Sequence, residues 1–403
     1  MMENRIIIIA DDFTGANDTG VQMRKQGIAT NVLIGTGECS GNAVFDTESR
    51  IVSPQEAYDR VYRVVDSVMQ HGGCQFIYKK VDSTLRGNVL SEIKAAADAY
   101  KPELILFAPA LPKLGRTTEQ AIQCVQGTPL LETEIAQDPR NPIQYDRIDL
   151  LLADSLDTAV THHALDSIRQ DELDLDSGAH TFDALESSDM VRIARHGIAA
   201  GKRTLWIGSA GLAAGYFSIV YPKAPVLAVV GSVSGKVMAQ MSYAEQQGVP
   251  IIAIDMKQVL SGSGMAPFIR DISAHLQQGQ DLIITAAKTR DIYENFIAYG
   301  KTLGQTTEEL AELTKNTMGD ITEAVLAQCE VSGLFLTGGD TAIGVIKRLG
   351  ATGARIEREI LTGIVLSRLY GGSRDGLPIV TKAGAFGADG DVYFCMNRLK
   401  EDV

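Results

Sequence analysis

Two successive series of short, β-branched apolar runs, separated by longer amphipathic stretches, constrain this chain more than any other feature. The first series is residues 5–10, 30–34, 43–46, 76–80, 104–108 and 204–207. Several of these runs are apolar throughout, the pattern of a parallel strand covered on both faces. Between them, residues 54–69 carry Val61, Val64, Val65 and Val68 along one side, and residues 89–100 are rich in alanine. Such alternation predicts a parallel, doubly wound sheet. A second series starts afresh at "PVLAVVGS" (225–232) and continues at 251–254, 282–285, 333–337, 363–367 and 379–381. Between the series, "YPKAP" (221–225) places two prolines in five residues and reads as a linker. The expected fold is α/β: two domains, 1–223 and 224–403, each a mostly parallel sheet flanked by helices. The acidic, turn-rich stretch 166–188 reads as a solvated loop with a short helix.

Composition excludes several classes. With 45% hydrophobic and 22% charged residues the chain can bury sizeable cores. A formal charge of -13 offers no basic footprint for a nucleic acid, so none is expected as a partner. Five scattered cysteines (Cys39, Cys74, Cys124, Cys329, Cys395) form no CxxC pair, against a disulfide framework or a structural zinc site. "RIIIIA" is too short for a signal peptide, and no apolar run approaches the ~20 residues of a membrane span. A cytoplasmic protein with no membrane partner is the expectation. The adjacent His162 and His163 read as surface or capping residues, since no HExxH or His/Cys cluster of zinc spacing occurs. GxGxxG after the first strand and GxSxG are also missing.

In open parallel sheets, ligands bind beyond the carboxyl ends of the strands. The first four candidate strand ends carrying polar groups run into "DDFTGAND" (11–18), "DTESR" (46–50), "KKVDSTLRGN" (79–88) and "PALPKLGRTT" (109–118). Carboxylates, ammonium and guanidinium groups and hydroxyls are thus directed toward one rim. A small polyhydroxy acid needs that mixture: cationic donors for its carboxylate, and Asp, Ser or Thr for its hydroxyls. Asp11 and Asp12 cannot face the same way on an extended chain, so one is expected to touch substrate and the other to cap the following helix. Lys79, Lys80, Asp82 and Arg86 form a second candidate group, whereas Arg50 and Arg116, taken alone, read as surface charges.

The second domain carries three glycine-rich strand ends. "LFLTGGDTA" predicts a strand, a Gly338-Gly339 turn and a helix opening at Asp340 or Thr341. Glycine lets backbone amides approach an anion closely, and a helix N-terminus adds partial positive charge. "VVGSVSGK" (229–236) is one residue short of a Walker A loop and has Val237 where Ser or Thr belongs. "TKAGAFG" (381–387) is the third. Together they suggest nucleotide phosphates.

"IADDFTGANDTG", "YKKVDSTLRGN", "APALPKLGRTT", "LFLTGGDTA" and "VTKAGAFG", in this order across nearly the whole chain, resemble the four-carbon acid sugar kinases. That resemblance implies an N-terminal sugar-acid domain, a C-terminal nucleotide domain and an active site in the cleft between them. The opening motif is most similar to members acting on D-threonate, which implies transfer of the ATP γ-phosphoryl group to a 4-hydroxyl. Carried over by motif, Asp11, Arg50, Lys80, Val81, Asp82 and Ser83 resemble substrate ligands. Ser234, Gly338, Gly339, Asp340, Thr341 and Gly384 resemble ATP ligands. Asp11 or Asp82 would orient the attacking hydroxyl and take its proton. Magnesium would be carried by the nucleotide, with no protein metal site. One departure is "VQGTPL" (125–130), where family members often carry "VNGVPL". The acid's stereochemistry and the oligomeric state, a homodimer among the options, stay open at this level, as does a non-catalytic sugar-acid sensor.

Overall fold

The computed structural model describes residues 5–35, 41–138 and 142–401, so Cys39 lies outside the described residues. The chain divides into two compact units, Met1–Pro222 and Lys223–Val403, parted within the proline-bearing segment.

In the first unit the strands are β1 (Ile6–Ala10), β2 (Asn31–Ile34), β3 (Ala43–Asp46), β4 (Phe76–Lys80), β5 (Leu104–Ala108), the short β6 (Arg116–Glu119), β7 (Ile122–Val125) and β8 (Thr128–Pro129), then β9 (Val160–His163), β10 (Gly178–Phe182) and β11 (Thr204–Gly208). Eight form one sheet in the order β2-β3-β1-β4-β11-β5-β10-β9, and every recorded pairing in it is parallel. The four isoleucines of β1 alternate across it. Ile7 and Ile9 join Ile77, Phe107 and Val65 on one face, while Ile6 and Ile8 join Tyr78, Trp206 and Met190 on the other. That two-sided burial is why the strand reads as an unbroken apolar run. Ser53 caps the Pro54–Gln70 helix with proline in its first turn, and the valine stripe of this helix is buried.

Two segments depart from expectation. The acidic stretch 166–188 contains a sheet strand, β10, as well as the short Leu165–Arg169 helix. His163, in β9, is neither surface nor cap: it is buried, with Nε2 at 2.9 Å from His180 Nδ1 and its ring stacked on Phe182. Strands β6, β7 and β8 form a separate antiparallel ribbon. Its last turn places Gln126 and Gly127 at φ 52° and 80°, the left-handed pair that a hairpin of this length demands.

The second unit holds β12 (Val226–Val230), β13 (Ile251–Ala253), β14 (Leu282–Thr285), β15 (Gly333–Thr337), β16 (Gly353–Leu361), β17 (Ile364–Tyr370) and β18 (Pro378–Lys382), in the order β13-β14-β12-β15-β18-β17-β16. The sheet is mostly parallel, but β17 runs antiparallel to both of its neighbours, β18 and β16. Leu227, Val229, Leu334 and Leu336 pack on one face, and Val226, Ala228, Val230, Phe335 and Val380 on the other. Among the described residues no helix is long and apolar enough to cross a membrane. Cys74, Cys124, Cys329 and Cys395 are free and buried.

Candidate active site

In the first unit, β1 delivers two adjacent carboxylates with different duties. Asp12 is the N-cap of the Phe13–Lys25 helix, its Oδ1 accepting from Gly15 N at 2.8 Å. Asp11 is only 2% exposed and receives Arg50 on both oxygens, from Nε at 2.6 Å and Nη2 at 3.0 Å. Arg50 Nη1 also donates to Asp12 Oδ2 at 2.7 Å, so one guanidinium holds both acids. The bidentate fork fixes Asp11 geometrically as well as electrically. Burial works against the Arg50 charge, but Asp11, together with Asp82 and Asp12, outweighs it and raises the guanidinium pKa.

The loop carrying Arg50 is tied to the end of β1. Ser49 N donates to Asp11 O at 3.0 Å, and Thr47 Oγ1 donates to Ala10 O at 2.8 Å. Asn88 Nδ2 donates to Ser49 O and Val52 O, each at 2.8 Å.

At the end of β4, Lys79 and Lys80 part company because successive strand residues point to opposite faces. Lys80 lies near Asp11, and a Cβ on Gly15 would fall 3.2 Å from its ammonium. Its Nζ donates to Val81 O at 2.8 Å. Burial lowers its pKa, against the pull of Asp11 and Asp82. Lys79 has no exposed surface; its ammonium pairs with Glu92 Oε2 at 2.9 Å. Glu92 also accepts from Ser49 Oγ at 2.7 Å, and burial raises its pKa against that pairing. Lys79 is therefore directed away from the rim, beneath the loop that carries Arg50.

Val81 is buried with its N–H committed to Gly208 O, leaving its backbone carbonyl to hold Lys80. Asp82 accepts from Thr84 N and Thr84 Oγ1 and pairs with Arg86. Burial alone would raise the Asp82 carboxyl, but Arg86, Arg50 and the Thr84 amide together hold it below the usual range. Ser83 is fixed through its carbonyl, which accepts from Gln123 Nε2 at 2.7 Å.

Three contributors had weak sequence signals. Gly87, at φ 98°, keeps open the space where a Cβ would stand 3.3 Å from Asp11 Oδ2 and 3.1 Å from Arg50 Cγ. Glu92 is hidden inside an alanine-rich helix, and Gln123 lies in the unexpected ribbon. Only the glycine stood inside a motif, "LRGN", already singled out.

In the second unit the three glycine-rich turns converge. Ser234 caps the Gly235–Gln246 helix and donates from Oγ to Gly384 O at 2.6 Å. A Cβ on Gly384 would fall 2.3 Å from Ser232 Oγ, and one on Gly231 only 1.7 Å from Thr341 Oγ1. Gly338, at φ 93°, is the N-cap of the Gly339–Arg348 helix, which opens one residue earlier than expected. Asp340 is exposed in its first turn, and around Gly339 a Cβ would meet nothing within 4 Å. Close backbone approach at two helix N-termini suits an anion such as a polyphosphate. Among the described residues no group of three or more His, Cys, Asp or Glu is placed to hold a metal.

A family model described as a sugar-binding N-terminal domain matches residues 6–216, and one described as a nucleotide-binding C-terminal domain matches residues 227–390. A D-threonate kinase of Salmonella typhimurium is 32% identical over 98% of this chain and 99% of its own. The chain belongs to the four-carbon acid sugar kinase family. With the family comes the class of activity expected from the motifs, an ATP-dependent sugar-acid kinase. A D-erythronate kinase of Heliobacterium modesticaldum is 28% identical over 98% of this chain and 97% of its own. Among solved structures, a Bordetella bronchiseptica protein described as a domain of unknown function, with bound citrate and as a domain-swapped dimer, is 29% identical. It covers 98% of each chain with a TM-score of 0.71.

Proposed function

We propose that this kinase transfers the γ-phosphoryl group of ATP to the 4-hydroxyl of D-threonate, giving D-threonate 4-phosphate and ADP. End-to-end similarity to a D-threonate kinase carries the choice of acid. The rim of Asp11, Asp12, Arg50, Lys80, Asp82, Ser83 and Arg86 supports a small polyhydroxy carboxylate as its occupant.

In this reading Arg50, Lys80 and Arg86 supply the cationic donors for the carboxylate and hydroxyls. Asp82, held ionised by Arg86, accepts a substrate hydroxyl hydrogen bond. Asp11, aimed by Arg50 into the space that Gly15 and Gly87 leave open, orients the 4-hydroxyl. The hydroxyl oxygen forms a bond to the γ-phosphorus as the bond to the ADP oxygen breaks, and the hydroxyl proton passes to Asp11. Such a transition state needs positioning and charge neutralisation more than a strong base. Lys79 acts from beneath, as a positioning residue. Ser234, Gly338, Gly339, Asp340, Thr341 and Gly384 form the ATP site, where Mg²⁺ would enter with the nucleotide and would supply neutralisation of phosphate charge. Transfer requires the two sites to meet, so the cleft expected between the domains belongs to this proposal, as do the cytoplasmic location and a homodimer.

Phosphorylation of D-erythronate is the second reading, favoured by the D-erythronate kinase relative. The two acids differ in the placement of one hydroxyl, which one hydrogen-bonding side chain can discriminate. ADP release measured over D-threonate, L-threonate, D-erythronate and 3-oxo-tetronates decides between them. The expected result is the highest kcat/KM with D-threonate. ADP with none of the acids would sink the kinase assignment, and a preference for another acid would replace D-threonate.

A further inference from the structure

Lys382 ends β18 on the sheet face that carries Val380, opposite Thr337 in the parallel register of β15 and β18. It is only 4% exposed. Its ammonium donates to Ala383 O at 3.0 Å and stands 5.1 Å from the Phe386 ring centroid. Among the described residues no carboxylate lies within ion-pair distance of it; Asp391 acts only from farther away. A buried ammonium held by one carbonyl and a ring face is undercompensated, and burial duly lowers its pKa.

A second group beside it is also unsatisfied. The Thr337 hydroxyl is buried with no hydrogen-bond partner. Both side chains stand where β15 and β18 end, next to the turn in which Ser234 Oγ meets Gly384 O and Gly338 closes on Ser232. A cation without a carboxylate and a hydroxyl without a partner at converging strand ends lack one thing: an anion rich in acceptor oxygens.

We propose that Lys382 and the Thr337 hydroxyl are phosphate ligands of the nucleotide site, with Lys382 taking the role that the lysine plays in phosphate loops of other nucleotide-binding folds. The inference rests on the reading that residues 223–403 hold ATP, and deepens it. The chain's "VVGSVSGK" turn is no Walker A loop, so the charge that would neutralise phosphate comes from a different strand end.

Titration calorimetry of the full chain with ADP and, in parallel, with adenosine tests this on wild type, Lys382→Met, Lys382→Arg and Thr337→Val. Lys382→Met is expected to weaken ADP about ten- to hundredfold while adenosine binding stays unchanged. Lys382→Arg restores most of the loss, and Thr337→Val weakens ADP several-fold, again sparing adenosine. A structural role would lower the melting temperature and move both ligands together or neither, and that result overturns the proposal. If Lys382→Met fails to fold, the ADP-to-adenosine ratio of Thr337→Val decides by the same criterion. Wild type that binds neither ligand would overturn the nucleotide reading itself, a failure distinct from one confined to the variants.

Discussion

Two neighbouring aspartates at one strand end carry different loads because a single guanidinium and a single helix N-terminus compete for them. Asp12 spends one oxygen on the cap and one on Arg50, whereas Asp11 spends both on Arg50. Asp11→Asn keeps the shape but loses the charge and the proton acceptor. It is expected to lower kcat by about a hundredfold or more while the KM for ATP stays put. Asp82→Asn should act mainly on the KM of the sugar acid, since Asp82 is a fixed hydrogen-bond acceptor in this account. Steady-state kinetics with each substrate varied separately check both, and near wild-type kcat in Asp11→Asn would remove Asp11 from the chemistry.

At the scale of elements, the helix Val89–Tyr100 matters for one residue. Glu92 pairs with Lys79 and receives Ser49, which links the core under β4 to the loop holding Arg50. Lys79→Met leaves Glu92 as an uncompensated buried charge, a loss of about 3–5 kcal/mol measurable by urea unfolding. Pairing it with Glu92→Leu is expected to recover most of that stability but not the KM for the sugar acid, because Ser49 has still lost its acceptor. Full recovery of both would make the pair a packing device and nothing more. The residues of this network were partly legible in the sequence. The period of two along β4 already implies that Lys79 and Lys80 face opposite ways, yet "KK" reads as one basic patch until the sheet is seen. Strands β1, β3, β4 and β5 were legible because they are apolar on both faces. Strand β16, "GARIEREIL", was not: it is a largely exposed edge rich in charges, and only Ile360 and Leu361 at its end reach a core. The direction of β17 was also hidden, since local pattern does not encode whether a strand runs with or against its neighbour.

On the scale of the whole molecule, each unit builds its own mostly parallel sheet and places polar groups beyond the strand ends, one set suited to a hydroxy acid and one to a polyphosphate. Stability of the first unit should depend on pH through the buried His163. Burial, with His180 and His162 beside it, lowers its pKa from 6.5 to about 4. Between those values the unfolded imidazole takes a proton that the folded one refuses, so stability falls as pH falls across that window. Urea midpoints at about pH 7 and about pH 5 should show the drop, and His163→Phe should shrink it. The proposed reaction is a particular transfer, to a particular oxygen. Phosphorus NMR of the product from ATP, Mg²⁺ and D-threonate tests it directly: one phosphomonoester coupled to the C4 protons, formed in step with ADP, is the expected result. Inorganic phosphate with unaltered acid, or a phosphoester on C2 or C3, would contradict it.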